Sequence, residues 1–252
     1  MTVALLSLAI THTASAGPPA AGGNGKFKVV YIATKQFPEL EKDIKGSGLF
    51  ESVATDMNER FVLPRDVPIE FRECGESNAF YDPETGKISM CYELVADISE
   101  MLAGQFEKPE EADEAVVDAM LFFFFHEMGH CLIHIYDLPT TGKEEDAVDQ
   151  LATLVLVDAG EDGEKAALDG AVSFSAFAEQ QSDEEEPAFW DEHSMDQQRF
   201  YNIVCWVYGT DPEKYGYLVK DGHLPEARGD RCEGEYAQIE KSWNKLLESH
   251  FR

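Results

Sequence analysis

The pentapeptide His126-Glu127-Met128-Gly129-His130 has the H-E-x-x-H spacing. In a helix, residues i and i+4 share a face, so the two imidazoles can meet a single ion. Glu127, one step from His126, falls beside that ion and can take a proton from a water the ion activates. Catalytic zinc takes three protein ligands and keeps one position open. Candidates for the third ligand follow at Glu144, Glu145, Asp146 and Asp149. Glu145 and Asp149 are four apart, on or near the face that carries Ala152 and Leu156, so this pair is expected to point inward. Glu145 is the expected third ligand, and Asp149 the expected partner of a ligand imidazole through its other nitrogen. Glu144 and Asp146 suit the acidic first turn of a helix. His134 lies about 12 Å along a straight helix from His126, too far to share the ion. The longer pattern with a third histidine also fails, because Ile133 and Tyr136 stand where Gly and His are required. A hydrolase must also steady a developing oxyanion. The best candidate is His193, just before a predicted helix start. Arg199 and Asp196 are spaced to pair and to hold His193 or a substrate carboxylate, with Tyr201 a weaker rival for the catalytic role.

These residues need a frame. Residues 112–134 lack Gly and Pro except at Gly129, and Leu121-Phe122-Phe123-Phe124-Phe125 is apolar all round. The helix that carries the motif is therefore expected in the centre of the domain. Asp137-Leu138-Pro139 and Thr141-Gly142 break it, and a second helix is expected over 144–158. Upstream, the patterns predict strands over 27–33, 69–73, 78–81 and 87–92, with helices over 49–61 and from Glu93 to Gly104. Downstream, 160–189 reads as a loop or ragged helix containing the acidic knot Asp183–Pro187. A helix then opens at Ser194, with Gln197 completing a capping box, and runs to Tyr208. An amphipathic element covers 233–248. The fold class is α+β: a small mixed N-terminal sheet packed on the buried motif helix, followed by a mainly helical C-terminal part.

The chain of 252 residues carries 20 Lys plus Arg against 49 Asp plus Glu, a formal charge of −29. Such a surface repels nucleic acid and anionic lipid, so neither is expected as a partner. Residues 1–16 read as an export signal, with the apolar run VALLSLAI at 3–10 and the small-x-small ASA at 14–16. That run is too short to span a membrane stably. Residues 17–26 read as a flexible lead-in to a domain over 27–250. The five cysteines fit an oxidising compartment, periplasmic or extracellular. Cys74 with Cys91 and Cys205 with Cys232 form two local pairs, which leaves Cys131 as the free thiol.

Three stretches carry a family likeness: HEMGHCLIHIYDLPTTGKEEDAVDQLATLVL, CGESNAFYDPETGKISMCYEL and FWDEHSMDQQRFYNIVCWVYGTDPEKYGYLV, with a late RCEGEYAQIEKSWNKLL. Through them the chain resembles a bacterial domain-of-unknown-function family described as metallopeptidases. More broadly, HEMGH followed by Glu145-x-x-x-Asp149 is similar to the gluzincin arrangement. The resemblance implies a zincin-like fold with His126, His130 and Glu145 as zinc ligands, Glu127 as base and Asp149 supporting a histidine. It also implies a strand near Asn78–Tyr81 that aligns an extended peptide. The expected function is zinc-dependent hydrolysis of a peptide or protein substrate. The competing expectation is a non-catalytic module whose zinc only joins two helices.

Overall fold

A computed structural model describes residues 23–180 and 190–252. The predicted signal segment and most of the lead-in lie outside the described residues, as does the acidic knot at 183–187. Four short strands build one sheet: β1 (Phe27–Tyr31), β2 (Val67–Arg72), β3 (Ala79–Asp82) and β4 (Lys87–Cys91), in the order β1-β2-β4-β3. β1, β2 and β4 are parallel, and β3 returns antiparallel on β4 with Tyr81 opposite Ile88. Along β2, Val67, Ile69 and Phe71 are buried and alternate with more exposed residues, so one face looks to the core. β3 is the edge of the sheet, and its backbone borders the cleft described below.

Helices α1 (Pro38–Ser47) and α2 (Leu49–Arg60) connect β1 to β2. The sequence pattern does not predict the first; it buries no residue, so it carries little signal. α3 (Tyr92–Leu102) leads into α4 (Pro109–Tyr136), the motif helix, which is longer at both ends than the apolar pattern predicts. Phe50 of α2 packs edge-on against Phe71 of the sheet and Phe124 of α4, with ring centroids 4.7 and 6.0 Å apart. On its other side, α4 places Phe122 and Phe123 against Phe174 of α6 (Glu161–Gln180). Enclosure from both sides explains the all-round apolar sequence. α4 has the length and hydropathy of a membrane span, but 78% of that window is buried within the fold.

α6 is a regular helix where the sequence predicts a loop or ragged segment. Around Phe174 its inward face is built largely of Gly163, Ala166, Ala167, Gly170 and Ala171, small residues that allow close packing but give a weak hydrophobic signature. α5 (Glu144–Asp158) occupies the predicted range. α7 (Asp196–Thr210) is capped one residue later than predicted, by Met195, with Gln198 accepting from the Met195 N–H. Ser194 is not the cap because its hydroxyl donates to Asp146 at 2.7 Å. Short α8 (Gly216–Lys220) and α9 (Glu226–Gly229) precede α10 (Cys232–Leu247). The structure joins Cys74 to Cys91 and Cys205 to Cys232, and leaves Cys131 buried and unpaired.

α4 and α5 form a helical hairpin whose turn begins at Asp137, in the left-handed region at φ 53°. The two helices approach closely at Gly129. A Cβ there would stand 2.8 Å from Val148 Cβ and 3.3 Å from its Cα, atoms that cannot move without the helix. Gly129→Ala adds a better helix former, worth about 1 kcal/mol in isolation. Overpacking typically costs about 1–3 kcal/mol and should win here. The variant is expected to unfold at lower denaturant than wild type, and equal or higher stability in urea titration would contradict this packing.

Candidate metal centre and its cleft

His126 and His130 project from α4 towards the first turns of α5. The Nδ1–H of His126 donates to Asp149 Oδ1 at 2.7 Å, and that of His130 donates to Glu144 Oε1 at 2.8 Å. Each bond fixes the tautomer and leaves the Nε2 lone pair unprotonated for a ligand. Those two Nε2 atoms lie 3.3 Å apart. Glu145 completes the set, with Oε2 3.1 Å from His126 Nε2 and Oε1 3.3 Å from His130 Nε2. Tetrahedral zinc at about 2.0–2.1 Å from its ligands puts neighbouring ligand atoms about 3.3 Å apart. All three spacings are close to that edge, each imidazole facing a different oxygen of Glu145. Oε2 of Glu145 is also buried without a hydrogen-bond partner. His126 and His193 approach this oxygen, but without the alignment of a hydrogen bond. A buried carboxylate oxygen left this way, with the His126 Nε2 lone pair facing it, suits a cation.

The charge balance agrees. Burial works against protonation of His126, yet the Asp149 and Glu145 carboxylates outweigh it and raise its pKa. His130 is likewise pushed up to about 9 against its burial, chiefly by Glu145. Burial opposes ionisation of Glu145, but the surrounding imidazoles hold its carboxyl far below the usual range. The cluster therefore demands positive charge at its centre. Asp149 is buried too, and the Arg199 guanidinium overcomes that burial and lowers its carboxyl to about 2. Arg199 grips Asp149 with Nε to Oδ2 at 2.8 Å and Nη2 to Oδ1 at 2.7 Å, while its guanidinium lies 3.9 Å from the Phe174 ring centre. Arg199 is thus buried under the metal site. It is not available to a substrate carboxylate, and His193 is held by other groups.

Glu127 is buried beside the cluster, with Oε1 4.0 Å from His126 Nε2. Burial raises its pKa against the pull of His126 and His130, and the main-chain N–H of Tyr81 on β3 faces its carboxylate. His193 reaches in from the segment before α7, with Nε2 3.2 Å from Glu145 Oε2 and Nδ1 3.1 Å from Asp191 Oδ1. Glu145 raises its pKa to about 8, more than burial lowers it. Lys143 pins this segment by donating to the carbonyls of Asp191 and His193 at 3.1 and 3.0 Å. The Ser194–Asp146 bond fixes it again.

These side chains open on a cleft of about 510 Å³, bordered by Ala79 and Tyr81 of β3 and by His134 of α4. Tyr201 lies elsewhere on α7 and does not line it. Cys131, next to a ligand in sequence, is buried, with its thiol pushed up to about 12 by that burial, and it is not part of the cluster. Sequence reasoning missed the role of Glu144, which a helix-dipole reading explains without a partner. It also missed Lys143 and Asp146, whose contacts run to residues some fifty positions away and leave no local pattern.

The profile of a family described as "DUF4344: Putative metallopeptidase" matches residues 31–247. No curated protein and no solved structure matches the chain. The match runs from β1 into α10 and so takes in every residue of the cluster. An HExxH helix whose His126 and His130 meet Glu145 of the next helix in one zinc cluster is what a metallopeptidase needs at its centre. The chain belongs to this metallopeptidase family.

Proposed function

We propose that this protein is an exported zinc peptidase in which Glu145 is the third ligand, Glu127 the general base and His193 the group that steadies the oxyanion. The carrying observation is the convergence of two imidazole nitrogens and the Glu145 carboxylate at spacings near a tetrahedral edge, beside the buried Glu127 and open to a cleft. When bound, zinc supplies a Lewis acid that polarises a carbonyl and makes water acidic enough to deprotonate near neutrality. Glu127 takes the proton from the attacking water and returns it to the departing amine. Its raised proton affinity suits both halves of that transfer. His193, charged at neutral pH by its neighbour Glu145, donates to the developing oxyanion. Asp149, with Arg199 behind it, holds the His126 ring in its ligating orientation, and Glu144 does the same for His130. Export is supported by the two disulfides and by the N-terminal apolar run.

The test is a digest of a broad peptide mixture by the full zinc-loaded chain, recovered from periplasm or medium, with and without a chelator. Cleavage that stops with chelator and returns with zinc is expected. A chain that holds zinc yet cleaves nothing would favour the structural-module alternative, and recovery in the cytoplasm alone would overturn export.

A further inference from the structure

His134 has no place in the ligand set and none in the mechanism above, yet it lines the same cleft. It follows His130 by four residues, one helical turn further along the same face of α4. Its ring is exposed, and its Nδ1 lies 2.8 Å from the Tyr81 hydroxyl on β3. That hydroxyl also meets Nη2 of Arg65 at 3.2 Å. Arg65 crosses the β3–β4 turn at Gly86, where φ is +72° and a Cβ would come within 3.0 Å of the guanidinium. The turn is therefore glycine at the point where the arginine passes.

The direction of these bonds settles the tautomer. Arginine only donates, so the phenol oxygen accepts from Arg65. The phenol O–H remains, and imidazole nitrogen is a far better acceptor than the Cys131 thiol nearby. Tyr81 therefore donates to Nδ1, and the His134 hydrogen sits on Nε2. Among the described residues Nε2 has no hydrogen-bond partner. Three elements thus hold one exposed donor in place beside the zinc centre. The carboxylates that share the cleft, Asp137 and Glu192 among them, only accept when ionised and cannot bind a peptide carbonyl.

Resting on the peptidase reading, we infer that His134 is a substrate-binding residue whose Nε2–H donates to a carbonyl or carboxylate oxygen of a peptide lying one turn beyond His130. Tyr81 and Arg65 are positioning residues that fix this donor before substrate arrives, so little side-chain freedom is lost on binding.

The test uses zinc-loaded full chain carrying Glu127→Gln, so that peptides bind without turnover. The probes are N-acetylated hexapeptides with a C-terminal amide, and the same sequences with a free C-terminal carboxylate. Adding His134→Leu is expected to weaken binding roughly tenfold, the upper range for one hydrogen bond. Tyr81→Phe should cost less, and His134→Gln, which keeps an N–H donor, should recover most of the loss. Zinc content should not change in any of them. In the active chain the His134→Leu loss should appear in KM rather than in kcat. Equal losses in both peptide sets identify a backbone carbonyl, and a loss confined to the free acids identifies the terminal carboxylate. Undiminished binding by His134→Leu overturns the inference, as does absence of binding to either set before His134 is changed. Peptides that bind through His134 but are never cut by wild type would leave this subsite standing and remove the peptidase reading instead.

Discussion

Glu127→Gln should keep its zinc and lose hydrolysis by about 10²- to 10⁴-fold, the range expected when a positioned general base is removed. The substitution preserves side-chain volume and the hydrogen bond offered by the Tyr81 backbone to a side-chain oxygen, but no proton can be accepted from water. The geometry separates this role from ligation. Glu127 Oε1 stands 4.0 Å from His126 Nε2, outside the cluster of two Nε2 atoms and the Glu145 carboxylate, where the spacings are 3.1–3.3 Å. Zinc per chain by elemental analysis, compared with kcat on any peptide cut by wild type, decides the matter. The effect should fall on kcat, because the proton transfer belongs to the transition state. If Glu127→Gln lost its metal, Glu127 would join the ligand set and the assignment would sink.

The second large effect is expected at Glu145. Glu145→Gln replaces a charged ligand between two imidazoles with a neutral amide, so zinc affinity should fall first and activity as a consequence. The loss should exceed the roughly 100-fold upper range for residues that only orient a ligand, such as Asp149. Bound metal stabilises the folded chain in proportion to its affinity. Wild type should therefore melt at a clearly lower temperature in chelator, and that difference should shrink or vanish in Glu145→Gln. The same collapse is expected of His126→Ala. If Glu145→Gln held zinc through dialysis against chelator as wild type does, the third ligand would have to be sought elsewhere.

The site residues on α4 and α5 are legible in the sequence because their spacing is set by single helices. His126, Glu127 and His130 are bound together by the helical repeat, and Glu145 with Asp149 by the same repeat on the next helix. The buried α4 is equally plain, since five consecutive apolar residues leave no face for water. α6 is obscured for the opposite reason: apart from Phe174 its packing face is mostly glycine and alanine, which bury little area and give little contrast. The cap of α7 falls one residue from its predicted place because Ser194 fits a capping pattern, while the fold uses its hydroxyl to reach Asp146 on another helix. Arg199 shows the same limit at the site itself. It stands three positions after Asp196, which suggests a local pair, but its fork closes on Asp149, fifty residues away in sequence. Contacts between distant segments leave no periodicity to read. His134 belongs to both cases, since its place on the helix is clear from sequence and its partner on β3 is not.

The approach of α4 and α5 at Gly129 changes what the motif means as a pattern. Written H-E-x-x-H, it treats the two central positions as open to any residue, and the chemistry does. This architecture does not. Met128 is wholly enclosed, and Gly129 stands where a single methyl group would collide with the backbone-proximal atoms of Val148. The approach of α4 to α5 also brings His126 and His130 within reach of Glu145. A side chain at 129 would therefore part the ligands as it parted the helices. In this hairpin the fourth letter of the motif is as constrained as the first: glycine there lets the two helices come close enough for the histidines to meet Glu145.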